Sequence, residues 1–289
     1  MEFKNLLFEK KKTLSVEYNP PKNYNINIDN IKSVAQFIDV VNVTDCPMAS
    51  LRMSSIASSY IIEHKLNLPT IFNLTCRDRN ALGISSDLLG AWALGLRSVL
   101  AINGDVIKNR RKENVYQLNT SKLLKIIKKL NNAEDYLGNS IKLKTDFLCG
   151  VASNVPTKAS MRGIKNRLKV KAEYGADFVI TQPVYSIESL EMFLEVSKDV
   201  KISKIIGFFP PPNLKVANYL NDSVKGIEIP KQLIDDFKNS KDEKSEGFVF
   251  VQNLIDDIVK RGYLKDIDGI HLMRFEKNFV EHIFNIIRS

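Results

Sequence analysis

The residues best suited to chemistry are polar side chains that interrupt or follow apolar, strand-like segments. Glu17 interrupts the apolar run LSVEY and stands shortly before Pro20 and Pro21. A carboxyl group that is partly removed from water keeps its proton more readily, so it can act as a general acid. From the residues alone, an edge position or a structural ion pair remains open for Glu17 beside catalysis.

Asp105 and Gln182 suit the recognition of a ligand by a carboxylate and by an amide. Asp105 follows Gly104 after the segment VLAIN, where a tight turn would bring backbone and carboxylate close to a ligand. A turn or helix cap explains the same pattern equally well. Gln182 interrupts a β-branched run before a proline, so its amide either bonds at a strand end or reads a heterocycle through both donor and acceptor.

The elements that must position these residues alternate between strands and helices. Strands are predicted over residues 14–19, 40–45, 70–75, 98–103, 147–153, 178–185, 204–209 and 269–275. Helices are predicted over residues 31–38, 50–64, 85–95, 122–130, 159–174, 187–196, 214–220, 248–261 and 278–287. Gly95 and Gly175 stand where helix C-caps belong. The polar segment 239–246 is interpreted as a mobile loop or a helix end.

This order predicts an α/β protein with a closed (β/α)₈ TIM barrel, formed as one domain over residues 1–289. A doubly wound open sheet is the main alternative, but neither GxGxxG nor GxxxxGK[ST] occurs in the sequence. In a barrel, the residues at the carboxyl ends of the strands meet at one face. The residues expected there are Glu17, Asn19, Thr44, Asp45, Asn73, Arg77, Asp78, Asn103, Asp105, Gln182 and Tyr185.

Composition excludes several other classes of protein. The three cysteines form no CxxC pair and the three histidines no metal-binding spacing, so no metal site is expected. No apolar run is long enough to span a bilayer, and the N-terminus does not resemble a secretory signal, which predicts a cytoplasmic protein without membrane contact. The net charge of +9 indicates a solvated basic surface or attraction to a phosphate-bearing ligand, and no nucleic-acid motif accompanies it.

Five motifs in fixed order resemble the methylenetetrahydrofolate reductase family over nearly the whole chain. They are VEYNPPK, VNVTDCPMASLRMS, LTCRDRN, INGD and YGADFVITQPVY. LTCRDRN and YGADFVITQPVY are especially similar to the bifunctional branch in which the reductase is fused to a homocysteine methyltransferase. The resemblance implies a (β/α)₈ barrel that reduces 5,10-methylenetetrahydrofolate, or a related C1-pterin, to the 5-methyl form. It also implies FAD as cofactor and NAD(P)H or another electron donor.

The resemblance also assigns roles to individual positions. Glu17 corresponds to the general acid and Asp105 to a catalytic carboxylate near flavin and pterin. The implied substrate-binding residues are Gln182, Tyr185 and Lys277, and the implied cofactor-binding residues are Thr44, Asn73, Asn103, Gly104, Asp105, Tyr116 and Lys171. Asn73 stands where many members have histidine, and Asn103 where some have arginine. The basic loop 105–116, with Arg110 and Arg111, is expected to face flavin phosphates or an acidic folate tail.

Two other functions remain open at this stage. One is a reductase of a modified pterin that takes electrons from a donor other than a nicotinamide, such as ferredoxin or a deazaflavin. The other is a pterin-binding subunit that passes electrons within a larger complex. A homo-oligomer is expected, an electron-transfer partner subunit is a further prediction, and the leading function places the product in methionine synthesis or an acetyl-forming branch.

Overall fold

The computed structural model describes residues 3–9, 11–106, 114–224, 226–240 and 242–288. Its centre is a closed barrel of parallel strands that follow one another in sequence order, with β8 pairing to β1. The strands are β1 Thr13–Tyr18, β2 Val40–Val43, β3 Thr70–Thr75, β4 Ser98–Ile102, β5 Leu148–Ser153, β6 Phe178–Thr181, β7 Ser203–Phe208 and β8 Gly269–Leu272. The predicted (β/α)₈ barrel is therefore confirmed. Arg110 and Arg111 lie outside the described residues.

Helices surround the barrel and return the chain to the start of each next strand. They are α1 Phe3–Phe8, α2 Asp29–Val34, α3 Ser55–Leu66, α4 Ala81–Ala93, α5 Thr120–Asn131, α6 Met161–Glu173, α7 Ile187–Ser197, α8 Leu214–Ser223, α9 Lys231–Asn239, α10 Glu243–Lys260 and α11 Lys277–Arg288. None of these described helices has both the length and the apolar character needed to cross a bilayer.

Helix ends show where the sequence prediction was right and where it was wrong. Gly95 and Gly175 have φ angles of 93° and 103°, which confirms their predicted positions at helix C-termini. The segment 239–246, predicted as a mobile loop or a helix end, contains the end of α9 at Asn239 and the start of α10 at Glu243, which agrees with the second alternative. The helices α1 and α9 were not predicted.

Asparagine side chains begin several of the helices that follow strands. Asn80, Asn119 and Asn213 each accept a hydrogen bond from the main-chain N–H three residues later, at 2.8, 3.0 and 2.9 Å. Such N-caps satisfy donors that the first helical turn leaves unpaired. They therefore fix the point at which each loop at the active face ends.

The amino-terminal half of the barrel interior is an apolar plug. Phe3 and Leu7 of α1 are buried together with inward-facing residues of six strands, including Val40, Ile71 and Phe178. The rings of Phe3 and Phe178 pack edge to face with centroids 5.5 Å apart. Because this end is filled, the space for a ligand lies at the other end of the barrel.

Candidate active site

A cavity of about 320 Å³ opens at the carboxyl ends of the strands, and we call it the mouth cavity. One wall is polar: β1, β2, β3 and β8 contribute Glu17, Asn42, Thr44, Asn73, Thr75 and His271. The opposite wall is mostly apolar and carries Leu100, Ile102, Ala152 and Ile180 from β4 to β6. A planar heterocycle fits such a cavity, because the apolar wall can contact the ring face while polar groups bond its edge.

Glu17 lies on the polar wall, and one of its carboxyl oxygens is held by a hydrogen bond. Its Oε1 accepts a hydrogen bond from Asn19 Nδ2 at 3.2 Å, and Thr44 Oγ1 fixes that amide by donating to Asn19 Oδ1 at 2.9 Å. Its Oε2 lies 3.9 Å from His271 Nε2. The Glu17 side chain is 22% exposed, so it remains open to a ligand.

His271 is held from behind by Ser15, its register partner on β1. Ser15 Oγ donates to the carbonyl of Ile270 at 3.2 Å and lies 2.9 Å from His271 Nδ1. The Ser15 hydroxyl therefore fixes the orientation of the imidazole ring, whichever ring nitrogen carries the proton. In this orientation Nε2 faces Glu17 Oε2.

Asn42 and Asn73 form a side-chain pair on the same wall. Asn42 Nδ2 donates to Asn73 Oδ1 at 2.9 Å, and the two residues are 1% and 6% exposed. Gln182 also lines the mouth cavity, where its main-chain N–H donates to the Ser153 carbonyl at 2.7 Å. Three amide side chains thus surround the space next to Glu17.

Asp105 is fixed by the loops on either side of it. Its Oδ2 accepts the main-chain N–H of Met48 at 2.6 Å, and its carbonyl accepts Arg77 Nη1 at 3.4 Å. Gly104 has a φ of 82°, and a Cβ there would lie 2.9 Å from Thr75 Cβ. Only glycine fits this turn, which brings Asp105 to the cavity edge.

Two arginines after β3 tie this edge together. Arg77 is buried and bonds both carboxylate oxygens of Asp78, at 2.7 and 2.6 Å, while Nη1 also reaches the Cys46 carbonyl at 3.2 Å. Arg79 Nη1 donates to the buried carboxylate of Asp45 at 2.7 Å. The Arg79 guanidinium compensates the negative charge of Asp45. Asp45 therefore supports this edge of the cavity, although it also lines the cavity.

A second cavity of about 350 Å³ lies beside the mouth cavity, between the ends of β4 and β5 and helices α5 and α6; we call it the side cavity. Both cavities are lined by Ile102 and Ala152. Lys171 donates to the Ala152 carbonyl at 2.7 Å, and Arg167 lies nearby. Burial, with a smaller contribution from the Arg167 charge, lowers the pKa of Lys171 to about 8. The side cavity is therefore cationic near neutral pH.

Most residues that the sequence assigned to a site fall in or beside these two cavities. Those lining the mouth cavity are Glu17, Thr44, Asn73, Gly104, Asp105 and Gln182. Asn103 and Lys171 line the side cavity, and Tyr116 donates its hydroxyl to the Gly104 carbonyl at 3.1 Å. Their roles stay predictions, since position alone does not test a role.

Two assigned residues lie elsewhere. Tyr185 is buried against α8 and α9, and its hydroxyl donates to the Phe209 carbonyl at 2.7 Å. Lys277 is exposed at the first position of α11. Neither belongs to the lining of the mouth cavity, so contact of either with a ligand requires a part of the ligand that extends beyond it.

Sequence reasoning missed Ser15, Asn42 and His271, which lie within strands rather than at their ends. A signal was present, because each interrupts an otherwise apolar strand, as in VVNV and GIHL. Cys76 and Cys149 are buried, and burial raises the pKa of Cys76 to about 12 and that of Cys149 well above its usual value. Both thiols therefore stay protonated and structural. Within the described ranges, no cluster of His, Cys, Asp and Glu is arranged for a metal ion.

The fold and the two cavities define a (β/α)₈ barrel protein with a candidate active site at the carboxyl ends of its strands. The profile of the family described as methylenetetrahydrofolate reductase matches residues 2–288, so the chain belongs to that family. It is an oxidoreductase of one-carbon metabolism that reduces methylenetetrahydrofolate to the 5-methyl form. The resemblance to the bifunctional branch stays a prediction.

Individual relatives agree with this family. A 5,10-methylenetetrahydrofolate reductase of Buchnera aphidicola subsp. Schizaphis graminum is 25% identical over 276 residues, which cover 92% of this chain and 88% of the relative. The Escherichia coli K12 enzyme of the same name is 25% identical over 227 residues, covering 75% and 70%. A probable methylenetetrahydrofolate reductase (NADPH) of Caenorhabditis elegans is 26% identical, and the match covers 82% of this chain but 36% of that protein.

A solved structure supports the fold independently. A Clostridium thermocellum protein that binds two copies of 5-methyl-5,6,7,8-tetrahydrofolic acid superposes with a TM-score of 0.62 at 17% identity. The match covers 98% of this chain and 97% of that one. At this identity the likeness establishes a shared barrel.

Proposed function

We propose that Glu17 is the general acid of this reductase and that FAD carries the hydride, with the pterin bound in the mouth cavity. The observation that carries the proposal is the position of Glu17 in the mouth cavity, where Asn19 bonds Oε1 and Oε2 lies 3.9 Å from His271 Nε2. In this proposal Oε2 is the oxygen that delivers the proton. The side chain is open to the cavity, so that proton can be delivered to a ligand.

Reduction of the methylene bridge requires the five-membered ring of the substrate to open. Protonation of the bridging nitrogen by Glu17 allows that C–N bond to break, which leaves a cationic iminium carbon. The Asp105 carboxylate is fixed at the cavity edge and stabilises positive charge that develops there. Gln182 holds the pterin by its side-chain amide, which can both donate and accept.

The residues of the two cavities fit FAD. The side chains of the mouth cavity would hold its ring, and the cations of the side cavity, Arg167 and Lys171, would hold its phosphates. Thr44, Asn73 and Gly104 would contact the ring end, whereas Asn103 would lie near the phosphate end. When bound, FAD supplies hydride transfer, which the side chains of the chain cannot perform.

The proposal is tested by the visible absorption spectrum of the purified protein, recorded under anaerobic conditions before and after addition of 5-methyltetrahydrofolate. Flavin bands that bleach on addition would support both the cofactor and the half-reaction. A colourless protein that FAD cannot reconstitute would contradict the flavin part of the proposal. An electron-donor screen with NADH, NADPH, reduced ferredoxin and reduced deazaflavin then separates the nicotinamide-dependent reductase from the modified-pterin alternative.

A second candidate is a pterin-binding subunit that does not itself retain flavin. It is favoured by Asn73, which the family resemblance described above places where many members have histidine. The Clostridium thermocellum protein that binds two copies of 5-methyl-5,6,7,8-tetrahydrofolic acid also favours it. Calorimetric titration distinguishes the two: two equivalents of 5-methyltetrahydrofolate per chain that FAD does not displace would favour the binding subunit. A cytoplasmic location, a homo-oligomeric state and an electron-transfer partner remain parts of the proposal.

A further inference from the structure

We propose that Asn42 and Asn73 act as one unit that binds the lactam edge, the adjacent N–H and C=O, of the ring held in the mouth cavity. Asn42 has no role in the assignments above, and Asn73 was assigned only by position in the family. The inference rests on the proposed function for the presence of such a ring. It deepens that function by naming the ring edge that the polar wall recognises.

This inference rests on the hydrogen-bonding groups that the pair leaves unused. The bond from Asn42 Nδ2 to Asn73 Oδ1 leaves Asn42 Oδ1 and the Asn73 amino group without another partner in the described part of the chain. Both residues are at least nine-tenths buried and both line the mouth cavity. The free amide atoms of Asn42 and Asn73 are not among the described polar atoms that are both fully inaccessible to solvent and without a hydrogen-bond partner. Polar groups in this position are satisfied by whatever fills the cavity.

The recognition pattern does not depend on which way the two amides are turned. If both amides are reversed, Asn73 donates to Asn42, and the pair still presents one carbonyl and one amino group. One acceptor beside one donor is the complement of a lactam, which offers N–H beside C=O. A carboxylate pair or a hydroxyl pair in the same place would lack this fixed complementarity.

The neighbouring strands place the pair between the acid and the apolar wall. Glu17 is the register partner of Asn42, and Leu100 is the register partner of Asn73. A ring whose edge bonds the amide pair therefore has Glu17 on one side and the apolar side chains of β4 on the other. Pterin and isoalloxazine rings both carry a lactam, so the test must distinguish them.

The experiment measures dissociation constants for FAD and, separately, for 5-methyltetrahydrofolate in the wild-type protein and in three variants. Asn42→Leu keeps the side-chain size but removes the acceptor. In Asn42→Asp, the Asn73 amide can turn so that its amino group donates to the new carboxylate. The pair then presents two acceptors to the ring and no donor. Asn30→Leu is the matched control, because Asn30 is exposed on α2.

For whichever ring contacts the pair, both Asn42 variants should bind about 10- to 100-fold more weakly, the cost of a buried group left unpaired. The other ligand and the Asn30 variant should be unaffected. The N3-methylated form of the responding ring should bind the wild-type protein as weakly as the variants bind the parent ring. Circular dichroism confirms folding of each variant.

The outcomes separate this inference from the function on which it rests. Wild-type binding of either ligand with unchanged affinity in both Asn42 variants would overturn the inference and leave the proposed function intact. A wild-type protein that binds neither ligand would overturn both. Loss of affinity only in the FAD arm, or only in the folate arm, supports the inference and identifies the ring.

Discussion

The carboxylate of Asp105 accepts a hydrogen bond from the main-chain N–H of Met48, with 2.6 Å between the two atoms. The bond joins the loop after β4 to the loop after β2. Cys46, Met48 and Ala49 in the latter loop have φ angles of 47°, 55° and 53°, a region that non-glycine residues rarely adopt. Such backbone costs of order 1–3 kcal/mol per residue, so Asp105 helps to hold a strained loop at the rim of the mouth cavity.

Substitutions at Asp105 should separate its loop contact from its charge. Asp105→Asn keeps an oxygen that can accept the Met48 N–H, whereas Asp105→Ala removes it. We expect hydrogen exchange of the loop over residues 46–49 to stay slow in the Asn variant and to accelerate in the Ala variant. Folate reduction should fall in both, by about 10-fold or more, because the carboxylate charge is lost.

The matched control for Asp105 is Asp222→Asn, since Asp222 is exposed on α8. It should change neither loop exchange nor turnover. Full turnover in the Asp105→Asn variant would contradict a role for the carboxylate charge.

Replacing the proposed acid should stop reduction of folate without loss of cofactor. Glu17→Gln cannot donate a proton from Oε2, and a positioned general acid contributes about 10²- to 10⁴-fold to rate. We expect turnover to fall by that factor while FAD binding, measured by absorbance, is unchanged. Oxidation of the electron donor by flavin should also continue, because that half-reaction does not open the folate ring.

Glu173→Gln is the control, because Glu173 is exposed at the end of α6 and the chemical change is identical. Retention of full folate turnover by Glu17→Gln would remove Glu17 as the acid.

Lys171 should make cofactor binding dependent on pH. Its pKa of about 8 means that the ammonium carries its charge below that pH and loses it above. We expect the affinity for FAD, measured by fluorescence titration, to decline as the pH rises above about 8. Lys171→Met should bind more weakly and lose this dependence, whereas Lys169→Met, an exposed change on the same helix, should preserve it.

The same pKa predicts the opposite trend for stability. Lys171 has its pKa lowered from 10.5 on folding, so between about pH 8 and 10.5 the unfolded chain binds more protons than the folded chain. The contribution of this residue to the free energy of unfolding therefore rises with pH in that window. Comparison of urea midpoints for wild type and Lys171→Met isolates this contribution. A wild-type increase no larger than that of the variant would contradict the burial of the charge.

The plug of α1 should contribute strongly to stability. Phe3 is 1% exposed and packs on Phe178, whereas Phe8 in the same helix is 62% exposed. Phe3→Ala should lower the free energy of unfolding by about 3–5 kcal/mol, the usual cost of truncating a buried phenylalanine. Phe8→Ala is the matched control and should change it by less than about 0.5 kcal/mol. Equal urea midpoints for the two variants would show that the plug is dispensable.

The barrel could be predicted from the sequence because its strands are short apolar runs separated by helical periodicity. The helix α9 could have been found as well, since Leu233 and Phe237 are spaced for one buried face and follow Pro230. The short α1 could not, because six residues carry too little periodicity and its burial depends on Phe178, far away in sequence. Tertiary packing decides such an element.

The position of a residue at the mouth cavity was predictable where the residue follows a strand, as for Asp105 and Gln182. It was less predictable where the answer depended on which face of a strand points inward. Asn42 and His271 face the barrel interior only because each strand's register with its neighbours places them there. Tyr185 is a case in which this rule failed. It was expected at the end of β6, but β6 ends at Thr181 and the chain turns away from the mouth cavity before it reaches Tyr185.

The closure of β8 onto β1 has a consequence for the order in which the enzyme becomes competent. Glu17 belongs to β1 and leaves the ribosome long before His271, which belongs to β8 and lies 3.9 Å from it in the folded protein. Proteins emerge at about 5–20 residues per second, so Glu17 waits on the order of ten seconds or more for the residue that faces it. Nascent chains that already carry β1, β2 and β3 therefore lack a wall residue of the mouth cavity, and the cavity is complete only when β8 closes onto β1.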